Sequence, residues 1–171
     1  MKMRFYIKRV VMSVFCAMTL SVAFPQTPAH AHFLDIPIDG SVSDFIARLE
    51  LEGFVETGDH FTGYLGDLKA WVGPLVENGI LYGVHVSFVD LYSDLVEATA
   101  MNLENMWELE EEYDIEFVEH ESSSDEVVYS YYGMNDVVFI LDMIQEVHEE
   151  RYGIDVTIID VENGRKSGFL N

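Results

Sequence analysis

The sequence contains very little cysteine and few basic residues. Its one cysteine, Cys16, lies in an N-terminal segment that we expect to be removed, so the mature chain has neither a disulfide nor a thiol nucleophile. Lys and Arg together number 9 against 31 Asp and Glu, a formal net charge of −22. Because phosphate neutralisation requires clustered basic side chains, this balance argues against nucleic acid and anionic membranes as partners. The charge also opposes self-association at low salt, and we expect a monomer.

Residues 1–31 have the pattern of an export signal. Four basic residues precede an apolar stretch over 10–24, and Ala29-His30-Ala31 offers the small-x-small pattern of a cleavage site. The stretch is shorter than the roughly 20 residues that cross a bilayer, which favours cleavage over membrane anchoring. We therefore predict a periplasmic or extracellular protein with one domain over 32–163. A buried N-terminal helix is the alternative.

Two segments that begin seventy residues apart have nearly the same sequence. They are YGVHVSFVD at 82–90 and YGIDVTIID at 152–160, identical at four positions and conservatively substituted at four more. A recurring segment of this kind indicates that one supersecondary unit is present twice. We predict half-repeats at 41–90 and 93–161.

The periodicity of apolar residues predicts a helix followed by antiparallel strands in each half. Ser41 is the expected N-cap of a first helix that ends at Gly53, and a longer helix is expected over about 93–113. Asn78-Gly79 predicts a tight hairpin turn. The predicted fold class is α+β: two helix-plus-β-meander repeats form one antiparallel sheet of about eight strands with the helices on one face. A mobile tail is expected at 164–171.

Alternation along the predicted strands assigns one set of side chains to the face away from the helices. With Tyr82 and Val84 facing the helices, His85 points away, and the repeat places Asp155 on the same side. This face is the candidate binding surface, because aromatic side chains with a polar group are favoured in interfaces. Alternatively, the aromatics only stabilise the sheet through cross-strand pairs, or residues 32–39 cover them. The candidate binding residues are Tyr64, Lys69, Trp71, His85, Ser87, Tyr129, Tyr131, Asp142, Asp155 and Thr157.

Sequence motifs that identify enzymes are missing. The chain has no Gly-x-Ser-x-Gly nucleophile elbow and no glycine-rich phosphate loop, and His148-Glu149 lacks the second histidine of a zinc-protease helix. No cofactor is predicted. Calcium is the better metal candidate because carboxylates are abundant, although residues 160–164 are too short for an EF-hand loop. His85 with Asp155 is the one acid–base couple that the repeat brings together.

The residues of the domain's beginning resemble a known group of proteins. Phe33-Leu34-Asp35-Ile36-Pro37-Ile38-Asp39-Gly40, the Gly53-Phe54 helix exit and the two Tyr-Gly-x-x-Val strands look like small secreted proteins of Gram-negative gut anaerobes. Those proteins resemble in architecture the β-lactamase inhibitory protein fold, a tandem helix-plus-four-strand repeat whose concave sheet binds a partner through aromatic side chains. The resemblance covers about residues 33–163. It implies a fold and a binding face but no catalytic residue, and this chain is unusually acidic.

The sequence favours a secreted or periplasmic, non-enzymatic binding module that engages a protein or peptide through the outer face of the sheet, with an inhibitor as one form of it. Two alternatives stay open. One is a hydrolase or a divalent-metal-dependent activity that the motifs do not reveal. The other is a structural component of the cell envelope, which would share these features and differ only in its partner.

Overall fold

The computed structural model describes residues 30–66, 68–88, 106–107, 109–120, 127–146 and 151–170. Most of these residues are in strands, and a few helices accompany them. The strands form one eight-stranded antiparallel sheet and one two-stranded sheet. The predicted antiparallel sheet of about eight strands is therefore confirmed.

The elements follow one another along the chain with short connections. Residues 106, 107 and 109–113 are helical. The remaining elements are β1 His32–Phe33, β2 Ile36–Pro37, α1 Val42–Leu51, β3 Val55–Thr57, β4 His60–Leu65, β5 Leu68–Glu77, β6 Ile80–Phe88, β7 Val118–His120, β8 Val127–Met134, β9 Val137–Glu146, β10 Arg151–Asp160 and α2 Val161–Ser167.

The large sheet has the strand order β3-β4-β5-β6-β10-β9-β8-β7. Its two centre strands, β6 and β10, are the two similar segments of the sequence, and they pair antiparallel with Val86 opposite Val156. Both strands are rich in β-branched residues, which suit a central strand that is covered by its neighbours. The centre of the sheet is thus built by residues far apart in the chain.

Local sequence signals set the predicted helix start and hairpin. The backbone N–H of Asp44 donates to Ser41 Oγ at 3.4 Å, which caps the N-terminus of α1. Asn78 and Gly79 have φ values of 51° and 77°, the left-handed conformation that a two-residue hairpin requires between β5 and β6. Both predictions are confirmed.

The main hydrophobic core lies on one side of the large sheet. Phe33 and Ile36 of the small sheet and Phe45 of α1 pack there with strand residues such as Val72 and Val86. Residues 32–39 therefore belong to the main core. Because Trp71 and His85 alternate with Val72 and Val86, they point to the opposite side, and the alternative that 32–39 cover the outer aromatics is wrong.

The C-terminal residues form a helix where the sequence predicted a mobile tail from Gly164. Asp160 caps α2 by accepting the backbone N–H of Asn163 at 2.8 Å, and Gly168 ends the helix at φ 83°. Beyond the helix, the ring of Phe169 stacks on Tyr82 with centroids 4.4 Å apart. The tail prediction is corrected for 164–170, because a cap at each end and these apolar contacts order the segment.

Part of the second half falls outside the described residues. The predicted helix over about 93–113 is described only from 106, and the His148-Glu149 motif is not described. In the part of the chain that the structure covers, no helix is both long and apolar enough to cross a membrane.

The close approach of β6 and β10 gives a test of the central pairing. A Cβ atom at Gly83 would lie 2.6 Å from the backbone oxygen of Ile158, whereas one at Gly73 would lie 3.9 Å from its nearest neighbour, the oxygen of His85. We expect Gly83→Ala to lower the free energy of unfolding by about 2 kcal/mol, because backbone on both sides must shift. Gly73→Ala is the matched control and should change it by less than about 0.5 kcal/mol. Urea denaturation of both variants measures this, and equal tolerance would contradict the pairing.

Candidate functional site: the outer face of the sheet

A row of side chains runs across the outer face, the side of the large sheet opposite the main core. Register places Trp71 opposite Ser87, Ser87 opposite Asp155, Asp155 opposite Asp142, and Asp142 opposite Ser130. The row crosses five strands, which at about 4.8 Å per strand spacing corresponds to roughly 19 Å. We call these five residues the cross-strand row.

Two serine–aspartate hydrogen bonds fix the carboxylates of the row. Ser87 Oγ donates to Asp155 Oδ1 in a short hydrogen bond, and Ser130 Oγ donates to Asp142 Oδ1 at 2.6 Å. Each carboxylate is thus held by the hydroxyl of the strand next to it. The two acids lie directly opposite each other on β10 and β9, so that two like charges are neighbours across the strands.

His85 connects the cross-strand row to the next pair of residues along the strands. Its Nδ1 lies 3.0 Å from Thr157 Oγ1, the residue directly opposite, and its Nε2 lies 3.6 Å from Asp155 Oδ2. The imidazole therefore sits between a hydroxyl and a carboxylate. The expected proximity of His85 and Asp155 is confirmed, with a contact at salt-bridge rather than hydrogen-bond distance.

Burial raises the pKa of Asp155 above its ordinary value of 3.8, and the charge of Asp142 raises this pKa further. The hydrogen bond from Ser87 and the nearby His85 act in the opposite direction and offset part of the effect. Asp155 is therefore an acid that is held by specific partners although its environment disfavours its charge, an arrangement that is more common in functional sites than elsewhere.

Aromatic side chains flank the row at both ends. At one end the rings of His60 and Trp71 are 5.0 Å apart, and Trp71 and Tyr64 stay 44% and 66% exposed. At the other end Tyr132 and Met134 are exposed, and the Tyr132 hydroxyl donates to Met134 Sδ at 3.0 Å. Large apolar groups that stay in contact with water on both sides of a polar centre are typical of a protein-binding surface.

The structure places most of the predicted binding residues together on the outer face. Tyr64 and Lys69 are cross-strand partners there, next to Trp71. The full set on this face is Tyr64, Lys69, Trp71, His85, Ser87, Asp142, Asp155 and Thr157. Ser130, Tyr132 and His60 also contribute to it and were missed from the sequence.

Tyr129 and Tyr131 do not lie on the outer face, so their prediction is corrected. Tyr131 is opposite Leu141 and packs against the main core, and Tyr129 is opposite Met143, which alternates with Asp142. A displacement of one residue exchanges the two faces of a strand. Because Val127 to Tyr132 is apolar or aromatic at almost every position, alternation alone does not choose the face.

A pair of glycines carries the signal that would have chosen the correct face of β8. A Cβ atom at Gly63 would lie 2.5 Å from the ring of Phe54, and one at Gly133 would lie 3.1 Å from the ring of Phe117. Both glycines therefore face the core and leave space for an aromatic ring. Aligning β4 with β8 through these glycines places Tyr131 inward and Tyr132 outward.

Tyr82 is a second correction, because it does not face the main core. The pairing of β5 with β6 passes from Leu75–Gly83 to Val76–Leu81 and leaves Tyr82 without a partner, a β-bulge. Tyr82 packs instead with Val138 and Ile159 in a small second core on the outer side, which α2 covers. One end of the outer face is thus closed by the C-terminal helix.

Metal binding and homology give no further assignment. Over the described stretches, no three His, Asp or Glu side chains are grouped as a metal site requires. Comparisons with protein-family models, with curated proteins and with solved structures find no match to this chain. The resemblance to the β-lactamase inhibitory protein architecture therefore stays a prediction.

Neighbouring tyrosines test which face of β8 is buried. We expect Tyr131→Ala to lower the free energy of unfolding by about 2 kcal/mol, because it removes a ring from the main core. Tyr132→Ala should cost less than about 1 kcal/mol, because its ring is exposed. Thermal or urea unfolding measures both, and the reverse order of the two losses would restore the original prediction.

The raised pKa of Asp155 predicts a pH-dependent stability. A group that binds its proton more tightly in the folded state stabilises the fold below its unfolded pKa and loses that contribution as the pH rises through the folded value. At pH 7 the ionised Asp155 is therefore unfavourable, and Asp155→Asn should raise the free energy of unfolding by up to about 1 kcal/mol.

The same gain should vanish below pH 3.8, the ordinary value for this acid, because Asp155 is then protonated in both states. Unfolding curves between pH 3 and 7 measure the difference. Glu56→Gln, an exposed acid on edge strand β3, is the control and should show no gain. A gain that is the same at all pH values would contradict the electrostatic cause.

Proposed function

We propose that this protein is an exported, non-enzymatic binding module that engages a protein or peptide through the outer face of its sheet. The observation that carries the proposal is the cross-strand row, a hydrogen-bonded polar centre with exposed aromatic groups at both ends. Side chains fixed by cross-strand hydrogen bonds lose little conformational entropy when a partner docks, which favours affinity. Exposed Trp and Tyr supply the rings on which most binding energy is usually concentrated.

The partner surface that fits best carries basic groups. Asp142 and Asp155 are neighbouring carboxylates, and the chain as a whole has 31 acidic against 9 basic residues. A cationic side chain placed over the pair would relieve their repulsion, and the acidic field would speed its approach. An inhibitor that covers a partner's functional cleft is one form of such a module.

The proposed architecture behind this face is a duplication, with the halves 41–90 and 93–161 as copies and the helices on one face. The strand order supports it, since β3 to β6 run in from one edge of the sheet and β7 to β10 from the other. Val86 and Val156, which correspond in the repeated segments, lie opposite each other at the centre. Two copies related by a two-fold axis at this point would have these pairings.

A hydrolase is the second candidate function, because the imidazole of His85 lies between the hydroxyl of Thr157 and the carboxylate of Asp155. That order resembles a nucleophile–base–acid relay. Two features weigh against it. Ser87 donates to the acid and not to the imidazole, and backbone N–H groups in paired strands are used by the ladder and cannot stabilise an oxyanion. A structural role in the envelope would use the same surface.

The proposal is tested by capturing the partner with a matched pair of tryptophan variants. The mature chain is immobilised and exposed to periplasmic extract and culture supernatant, and the Kd of any saturable protein partner is measured. We expect Trp71→Ala to weaken binding at least about 10-fold, because this ring is at the centre of one aromatic end. Trp107→Ala is the control, since Trp107 is 67% exposed on the helical residues 106–113 and not on the outer face.

Both variants should keep the melting temperature of the parent within a few degrees, so that a loss of binding is not a loss of fold. Equal binding by the Trp71 and Trp107 variants would contradict the outer face as the contact surface. Absence of a saturable partner, together with turnover in a substrate screen that His85→Ala abolishes, would favour the hydrolase.

A further inference from the structure

The two residues that precede β1 are built into the fold. Ala31 is fully buried in the main core. Its N–H donates to Asp160 Oδ2 at 3.0 Å, and its carbonyl oxygen accepts the N–H of Ile38 at 2.8 Å. His30 Nδ1 lies 3.1 Å from the same Asp160 oxygen. A chain that begins at His32 would lack all three contacts.

Asp160 makes these contacts important for the rest of the molecule. Its side chain is only 3% exposed, and its other oxygen accepts the N–H of Asn163 and caps α2. Asn163 in turn donates from its side chain to the carbonyl oxygen of Ile38 at 2.7 Å. A buried carboxylate that loses hydrogen-bond donors is costly, so that removal of Ala31 would destabilise both the start of the domain and α2.

We infer that the export signal is cut before His30, and that the mature protein retains His30 and Ala31. The inference rests on the proposed export of the protein, but not on the proposed partner. Hydrolysis of one peptide bond by a signal peptidase would add water and leave an α-ammonium group on the mature chain. The Ala29-His30-Ala31 pattern that suggested a cut after Ala31 is then not the site used.

The sequence offers other small-x-small patterns before His30. Thr27-Pro28-Ala29 would give a mature chain that begins at His30, and Ser21-Val22-Ala23 would give one that begins at Phe24. Either cut leaves Ala31 in the fold. A cut after Ala29 would also bring a positive charge within one residue of the Ala31 N–H, which contacts the buried carboxylate of Asp160.

The first residue of the exported protein decides the matter. The full-length chain is expressed in a Gram-negative laboratory host, and the periplasmic product is examined by N-terminal sequencing and intact mass. A product that begins at His30 or at any earlier cut site supports the inference. A product that begins at His32 overturns it while leaving export intact. A chain that keeps its leader inside the cell overturns both.

Stability supplies a second measurement that does not depend on the host. Three chains are compared that begin at Pro28, His30 and His32 and carry no added residues. We expect the first two to melt at the same temperature and the third to melt lower by about 5 °C or more, because only the third lacks the donors to Asp160. Equal melting of all three chains would overturn the inference.

Discussion

The antiparallel pairing of β6 with β10 is the contact on which the rest of the structure depends. It joins the two halves of the chain at the centre of the large sheet, with Val86 opposite Val156, and Gly83 allows the backbones to approach closely. The same register places His85 opposite Thr157 and Ser87 opposite Asp155. A single pairing therefore determines both the continuity of the core and the composition of the candidate site.

The two faces of the sheet have different chemistry. The inner face buries its apolar side chains in the main core, whereas the outer face carries two neighbouring carboxylates, each held by a serine hydroxyl. Burial and the charge of Asp142 make ionisation of Asp155 unfavourable, so this arrangement does not serve stability at neutral pH. A surface that gives up some stability for placed charges is consistent with the proposed role in binding.

Features with a local cause could be predicted from the sequence. Ser41 as a helix cap and Asn78-Gly79 as a hairpin turn act through their immediate neighbours, and both are confirmed. The face of β8 could not be predicted, because Tyr129, Tyr131 and Tyr132 are adjacent rings that fit either side of a strand. The ordered C-terminus was missed for a related reason, since α2 is short and packs on strands distant in the chain.

The sequence by itself determined the strand content, the acidic charge, the hairpin and the list of polar and aromatic side chains available for a site. Only the tertiary structure decided which of them share a surface. A β-bulge moves Tyr82 to the outer side, and the packing of Phe117 against Gly133 turns Tyr131 inward. The physical reason is that strand side chains alternate with a period of two, so a shift of one residue, set by contacts with distant segments, exchanges the buried and exposed faces.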